Sequence, residues 1–283
     1  MKLMTNSDSF LTIQPKSELI RKHISYYYFH QSFDPNFQKS FVFFPNFIHG
    51  ITAYTKSSIN FKENSIVTPC EENELTIFYT MNYSRNIKVT LNGVFNKIGI
   101  CFHPAGLNYF VNGALSTIYD EETHRFNYYD NQFNKTLLEV YKKESLEEKR
   151  DLLDQFFESK YVEFKHPELI HCLNDIIYSN GTIKVDELSE RYAIHPKTLL
   201  RQFNKHFGCS IEAYKKMVKF RNTLNFTQSQ QQFSSLTEIS LYNHYYDQAD
   251  FNKQFKAITN FTPKELLSKI EKMGEEKTYW VFE

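Results

Sequence analysis

Two stretches in the second half of the chain share one pattern: ELSERYAIHPKTLLRQFNKHFGCSIEAY at residues 187–214 and EISLYNHYYDQADFNKQFKAITNFTPKEL at residues 238–266. The second stretch carries one extra residue before its second half. Matched pairs include Glu187 with Glu238, Arg201 with Lys253, Phe203 with Phe255 and Ser210 with Thr262. An internal repeat of this kind indicates one supersecondary unit that is used twice.

Each copy has the parts of a helix-turn-helix. We expect a short first helix to begin at Val185 in one copy and at Leu236 in the other, with acidic residues in a first turn that the helix dipole favours. Helix caps follow at His195, with Pro196 at the first helical position, and at Asp247. Apolar residues about four positions apart give each second helix one buried face. These residues are Leu199, Phe203 and Phe207 in the first copy, and Phe251, Phe255 and Ile258 in the second.

The opposite face of each second helix carries candidate DNA contacts. Such helices enter the major groove, and two copies would reach successive grooves about 34 Å apart. Arginine and lysine pair with guanine, asparagine pairs with adenine, and leucine contacts the thymine methyl group. The predicted base-reading residues are Lys197, Leu200, Arg201, Asn252 and Lys253. The predicted phosphate contacts are Lys205, Lys215, Lys216 and Lys256, which would give affinity without sequence information.

The distribution of charge agrees with a polyanionic partner. The chain has 33 basic and 33 acidic side chains and a net charge of zero. Residues 195–221 nevertheless contain seven basic side chains and a single acidic one, Glu212. Double-stranded DNA is the partner that such a stretch favours, and a solvated helix face is the plainer alternative.

The composition excludes several other classes of protein. With 283 residues, of which 41% are hydrophobic and 23% charged, the chain has a globular composition and a length typical of about two domains. No apolar run approaches the ~20 residues of a membrane span, and the start MKLMTNSDSF lacks the apolar core of a signal peptide. The four cysteines are far apart and form no CxxC pair, which suits a reducing compartment. We therefore expect a cytoplasmic protein with no membrane partner.

The first part of the chain is predicted to be rich in strands. FVFFPNFIHGITAY (41–54) and LTIFYT (75–80) are aromatic and β-branched, as strands usually are. In NIKVTLNGVFNKIGICF (86–102), Asn92-Gly93 separates two such runs, and this dipeptide is a strong signal for a β-hairpin. We expect a small, mostly antiparallel barrel or sandwich.

The predicted fold class is α+β with three parts and a tail. By this interpretation residues 1–125 form a β-rich sensor domain, and residues 126–164 form a helical linker or dimerisation region. In that linker Ser145, with a glutamate three residues later, suits a capping box. Residues 165–273 form an all-helical domain with the two helix-turn-helix units, and residues 274–283 form a tail without an assigned role.

The second copy resembles the signature region of AraC/XylS-type transcriptional regulators. The resemblance covers about residues 165–270 and includes the helix KMVKFRNTL (216–224), with Lys219 where the family usually has arginine. It implies a bacterial, DNA-binding transcription activator, and it leaves RNA polymerase contact and a homodimer open. The matching positions are Ile239, Tyr245, Asp247, Gln248, Phe251, Lys253, Phe255, Lys256, Thr262 and Pro263.

Four positions depart from the pattern of that family. Ala193, His244 and Asn260 replace usual glycines, and Asp250 replaces the usual histidine. A histidine in a tight turn is expected to strain it, and a carboxylate near DNA is expected to repel a phosphate. An interaction protein that has lost DNA binding therefore stays open as an alternative.

The segment NGVFNKIGICFHPAGLNYFVNG (92–113) resembles, more faintly, the cupin-like sensor domain of some of these regulators. This resemblance names no ligand and leaves an unknown small-molecule effector open. Because cupin-like barrels often hold metals, a metal-dependent cupin-type enzyme with a helical appendage is the other alternative. The histidines of this half occur singly rather than in ligand-like spacings: His23, His30, His49, His103 and His124. We predict no cofactor, no metal site and no catalytic residue.

Overall fold

The structure is a computed structural model that describes residues 8–61, 64–72, 74–80, 86–118, 125–129, 131–229, 235–269, 271–272 and 279–282. The strands are β1 (Asp8–Ile13), β2 (Ile24–Ser32), β3 (Gln38–Phe43), β4 (His49–Thr55), β5 (Ser57–Phe61), β6 (Asn64–Pro69), β7 (Leu75–Thr80), β8 (Ile87–Asn92), β9 (Phe95–Phe102), β10 (Glu271–Lys272) and β11 (Tyr279–Phe282). The α+β architecture predicted from the sequence is confirmed.

The helices are α1 (Glu18–Arg21), α2 (Asn131–Lys142), α3 (Leu146–Lys160), α4 (Pro167–Tyr178), α5 (Val185–Arg191), α6 (Pro196–Phe207), α7 (Ile211–Ser229), α8 (Leu236–Tyr242), α9 (Gln248–Thr259) and α10 (Pro263–Lys269). Two short 3₁₀ helices occupy Gly106–Tyr109 and Leu115–Thr117. None of the helices within the described ranges combines the length and the apolar character that crossing a membrane requires.

The chain divides into two compact bodies. The C-terminal body contains Phe41–Phe47, residues 86–87 and the described residues from His166 onward. The N-terminal body contains the other described residues. Neither body is therefore one continuous stretch of sequence, whereas the predicted domains were.

The main sheet of the N-terminal body has the strand order β1-β2-β9-β4-β7, with every pair antiparallel. Along β2 and β9 alternate side chains enter one large apolar core, as the two-residue period of a strand requires. On the opposite face the Tyr28 ring lies across Gly99, where a β-carbon would come within 1.8 Å of the ring. Core residues contributed by the sheet include Tyr27, Phe29, Ile51, Ile100 and Phe102.

The helices α2 and α3 complete that core. The rings of Phe133 and Phe156 stack with centroids 4.7 Å apart, and Phe157 meets Phe102 of β9 edge-on at 5.7 Å. Ser145 caps α3 by accepting the amide N–H three residues later at 3.4 Å. The apolar stripes of α2 and α3 are buried in this core, so the described helices of the predicted linker or dimerisation region, residues 126–164, belong to the N-terminal body.

A second sheet brings β3, β8, β6 and β5 together, and β6 runs parallel to β8. The predicted hairpin at Asn92-Gly93 is wrong, because β8 and β9 lie in different sheets. Gly93 has a φ of 68°, and its N–H donates to the Phe37 carbonyl at 2.7 Å. The glycine therefore supplies the positive φ of a turn that carries the chain from one sheet to the other.

The C-terminal body includes a piece of the N-terminal half of the sequence. Val42 and Phe44 are 4% and 2% exposed and pack in one cluster with Phe220, Phe251 and residues of neighbouring helices. The ring centroids of Phe44 and Phe220 lie 6.2 Å apart. Backbone pairing of β11 with the end of β3 places residues 279–282 of the predicted tail in this body, whereas residues 274–278 and 283 lie outside the described residues.

Replacing Phe44 with alanine should destabilise the C-terminal body by about 3–5 kcal/mol, the usual cost of deleting a buried phenylalanine ring. Amide hydrogen exchange of the intact chain, read by mass spectrometry on peptides from α7, measures the change. The same substitution at Phe33, whose side chain is 74% exposed, should change exchange little. Equal protection of α7 in both variants would contradict the packing of residues 41–47 in this body.

Candidate nucleic-acid interface

Each copy of the repeat forms a helix-turn-helix. The first helices α5 and α8 have seven residues each, and the second helices α6 and α9 have twelve each. Four residues connect α5 to α6 and five connect α8 to α9. The single extra residue in the second copy therefore lies in the turn and leaves the lengths of the helices unchanged.

Both first helices end in the same backbone conformation. Ala193 and His244 follow the helix ends with φ values of 51° and 59°. The amide of the next residue then donates to the carbonyl five residues earlier, at 3.0 Å in the first copy and 2.9 Å in the second. These are Schellman caps, in which the left-handed position is most often glycine. Asn260, with a φ of 63°, ends α9 in the same region, so all three replaced glycines have kept the glycine conformation.

Lys219 on α7 holds the turn of the second copy. Its Nζ donates to the His244 carbonyl and lies 4.2 Å from the centroid of the Tyr245 ring. Partial burial lowers the pKa of this amine. Tyr245 is 5% exposed, and its ring centroid lies 4.9 Å from that of Phe251 on α9. A backbone contact and a ring contact thus fix α7, the turn and the second helix together.

Side chains cap the start of both second helices. Nδ1 of His195 accepts the Lys197 N–H at 3.3 Å, and Pro196 occupies the first helical position. Oδ1 of Asp247 accepts the Asp250 N–H at 2.7 Å. Each cap satisfies one of the amides that the first helical turn leaves without a partner.

Asp250 is held within its own helix. Its carboxylate accepts the Tyr246 N–H at 3.3 Å and the Gln254 amide at 2.9 Å. The hydrogen bond from Gln254 is the main cause that lowers the pKa of Asp250 below its usual value. The residue that we singled out as a source of repulsion therefore also closes the start of α9, in the manner of a capping box.

The two sides of α6 differ sharply. Leu199, Phe203 and Phe207 are at most 1% exposed, whereas Leu200 is 41% exposed. The remaining predicted contacts on this helix are exposed: Lys197, Arg201 and Lys205. Because α6 contains no acidic residue, all the charged side chains on its exposed face are basic.

The helix α9 also has one buried and one exposed side, with fewer basic residues on the exposed side than α6. Lys253 and Lys256 are exposed and Asn252 is half-buried. Ile258 is half-buried and packs against the same core as Phe251 and Phe255, and the third fully buried position is Thr259, at 0% exposure. Thr259 can be buried because its hydroxyl donates to the Phe255 carbonyl at 2.8 Å and accepts the amide N–H of residue 261 at 3.1 Å.

Two predicted DNA contacts have restricted side chains. Nζ of Lys215 lies 3.0 Å from Oε1 of Glu212, and the lysine side chain is 14% exposed, whereas Lys216 is exposed. Oδ1 of Asn252 is shielded from solvent and has no hydrogen-bond partner among the described residues. A paired contact of this amide with adenine requires the side chain to turn outward.

No pattern in the sequence predicted the contact that ends α9. The Asn86 side chain donates to the Thr259 carbonyl at 2.7 Å, and the Asn86 N–H donates to the Ile258 carbonyl at 3.0 Å. Helix ends leave such carbonyls without partners. A residue far away in the sequence therefore fixes the end of the second helix.

The described histidines considered as metal ligands form no shared ligand group, although two of them are neighbours: the His103 N–H donates to the His23 carbonyl at 2.9 Å. Nδ1 of His49 and the Tyr79 hydroxyl are 2.9 Å apart, and burial lowers the pKa of His49 to about 3. His30 lies 2.9 Å from an Asp8 oxygen, and His124 is outside the described residues. Within the described part of the chain, no group of three or more His, Cys, Asp or Glu side chains could hold a metal ion.

The C-terminal body thus contains two helix-turn-helix units, and the long helix α7 lies between them in the sequence. A comparison of the sequence with models of known protein families found no match, and a comparison with curated proteins found none either. Among solved structures, the chain is similar to ToxT from Vibrio cholerae O395, with 11% identity, 92% of this chain and 96% of that chain covered, and a TM-score of 0.41. ToxT from strain SCE256 bound to an unsaturated fatty acid gives 12% identity, coverages of 98% and 100%, and a TM-score of 0.43.

The chain is also similar to the C-terminal domain of AraT, a response regulator from Geobacillus stearothermophilus. That comparison has 16% identity, covers 39% of this chain and 91% of that chain, and has a TM-score of 0.34. At identities and TM-scores this low, the likeness assigns no activity to the present chain. Its function has to be argued from its own residues.

Replacing His244 with glycine should stabilise the C-terminal body by about 1 kcal/mol, because a β-carbon in the left-handed region is strained. The same substitution at His171, an exposed position inside α4, should destabilise by about 1 kcal/mol. Urea denaturation of the intact chains compares the two free energies of unfolding. A shift of the same sign in both variants would show that the strain at His244 is negligible.

Proposed function

We propose that this protein is a sequence-specific DNA-binding transcription regulator of the AraC/XylS type. The observation that carries the proposal is the duplicated geometry, in which both copies share one Schellman turn, one buried face and one exposed basic face. A helical bundle without DNA function has no need to repeat the exposed face together with the buried one. The second helices α6 and α9 are the proposed recognition helices.

Base reading is assigned to residues in the first half of each recognition helix. Lys197 and Arg201 on α6 and Lys253 on α9 would donate to guanine O6 and N7. Leu200 would contact a thymine methyl group, and its 41% exposure supports that role. Asn252 would pair with adenine after its side chain turns outward.

Phosphate contacts are assigned to Lys205, Lys216 and Lys256, whose side chains are exposed. Lys215 makes a weaker candidate, since part of its charge is already matched by Glu212. Contacts of this kind release counterions from DNA, so affinity should fall steeply as salt rises.

The N-terminal body is proposed to regulate the DNA-binding body. An effector, a second copy of the chain or RNA polymerase would act by preferring one of two states of the protein. This part of the proposal rests on the presence of a separate folded body with its own core. The protein is proposed to act without catalysis, in the bacterial cytoplasm.

Replacing Arg201 with alanine should weaken binding to the preferred DNA by about 1–3 kcal/mol and relax the preference at one base pair. A duplex selected by the intact protein from a random pool, and a scrambled version of it, are compared by fluorescence anisotropy. Arg191→Ala is the matched control, because Arg191 on α5 is paired with Asp175 at 2.6 Å. Equal loss on both duplexes would make Arg201 a phosphate contact instead.

Replacing Lys256 with alanine should weaken binding to all duplexes alike and reduce the slope of log K against log salt by about 1. Lys215→Ala is the control, and it should change the slope less because Glu212 already screens that lysine. The same anisotropy measurement is repeated over a salt series with the intact chain. An unchanged slope for the Lys256 variant would remove it from the phosphate contacts, and no salt dependence in the parent protein would overturn the proposed function.

A further inference from the structure

The core of the second helix-turn-helix contains residues from the N-terminal half of the sequence. Val42 and Phe44 are buried in the same apolar cluster as Phe251 on α9. Phe220 on α7 completes the contact, because its ring centroid lies 6.2 Å from that of Phe44 and 5.1 Å from that of Phe255 on α9. Since the loss of a buried ring leaves a cavity, the packing of α9 depends on residues far from it in the sequence.

The last turn of α9 is held from the same half of the sequence. The backbone N–H and the side chain of Asn86 donate to two carbonyls at the end of this helix, which the helix itself leaves without partners. The Asn260 side-chain amide donates to Oδ1 of Asn86 at 3.4 Å. Phe44 therefore supports the buried face of α9, and Asn86 supports its end.

Both supports are continuous with strands of one sheet. Strand β3 leads directly into Phe44, and strand β8 directly follows Asn86. These two strands are neighbours in the second sheet, and between them Oγ of Ser40 lies 2.8 Å from Oγ1 of Thr90. Ser40 and Thr90 belong to the N-terminal body. Each strand therefore connects that body, through its own backbone, to one support of α9.

The first helix-turn-helix packs on helices that follow residue 166. The helix α6 contacts α4 and α7. The Phe203 ring on α6 lies 4.7 Å from that of Phe207 and 5.8 Å from that of Tyr214 in the first turn of α7. The two copies thus use different parts of α7, since the second copy contacts it at Phe220.

We propose that the second helix-turn-helix binds DNA only while Phe44 and Asn86 hold α9, whereas the first binds DNA without this support. The inference rests on the proposed function and adds to it the route by which the N-terminal body acts. A signal that displaces β3 or β8 within that body would withdraw a support from α9. The protein would then keep the contacts of α6 and lose those of α9, which reduces its DNA site from two major grooves to one.

The first test needs no DNA. Asn86→Ala removes the side-chain hydrogen bonds and leaves the apolar core intact, and amide hydrogen exchange of the intact chain is read on peptides from α6 and α9. Exchange near the end of α9 should become about fivefold faster, with α6 unchanged. Asn36→Ala, the same change at an exposed loop position, should alter neither helix. Unchanged exchange in α9, or equal acceleration in α6, would overturn the proposal.

A second variant separates a connection through β8 from a purely local support. Thr90→Val changes a residue of the N-terminal body and removes the hydroxyl that meets Ser40. Exchange at the end of α9 should become about twofold faster. Thr68→Val, at an exposed position of β6 in the same sheet, should have no effect there. If α9 responds to neither threonine variant, Asn86 is a fixed support and control through β8 is refuted.

Footprinting connects the support to DNA. On the duplex selected by the intact protein, hydroxyl-radical cleavage should show two protected regions about one helical turn apart. Arg201→Ala and Lys253→Ala identify the regions of α6 and α9, and Asn86→Ala should lose protection in the α9 region alone. Equal weakening of both regions would contradict the separate behaviour of the two copies. A parent protein without any footprint would overturn the proposed function, whereas the exchange measurements would still decide whether α9 depends on Asn86.

Discussion

Both helix-turn-helix units depend on one residue in the left-handed backbone region at the end of the first helix. This conformation reverses the chain, so the following residue lies between the two helices and the second helix leaves at a fixed angle. Ala193 and His244 occupy these positions, at a cost of about 1 kcal/mol each relative to glycine. The two hydrogen bonds of each Schellman cap offset that cost, and Lys219 adds a third bond at the His244 carbonyl. The orientation of the exposed face of each second helix follows from this geometry.

The C-terminal helices could be predicted from the sequence because their signals are local. Proline and aspartate mark the starts of α6 and α9, and apolar residues recur with the period of a helix. The partners of the aromatic segment 41–47 could not be predicted, since its pattern indicates burial without indicating what covers it. The hairpin at Asn92-Gly93 failed for a related reason: positive φ at Gly93 suits any reversal, and the pairing of the next strand is decided by the sheets.

In the candidate site, too, the features set by local sequence could be predicted, whereas those set by specific hydrogen bonds or distant contacts could not. The exposed basic residues of α6 could be predicted, because a twelve-residue amphipathic helix leaves few choices. Thr259 was missed because its burial depends on hydrogen bonds to Phe255 and to residue 261, which no hydrophobic scale contains. The pairing of Lys215 with Glu212 could have been found from its three-residue spacing on a helix. The contact of Asn86 with the end of α9 could not, because it joins distant parts of the chain.

The two copies of the helix-turn-helix share one architecture but differ in the charged residues of their second helices. The helix α6 has three exposed basic residues and no acidic one, whereas α9 combines two lysines with Asp250. If affinity for DNA follows phosphate neutralisation, the first copy supplies the larger share.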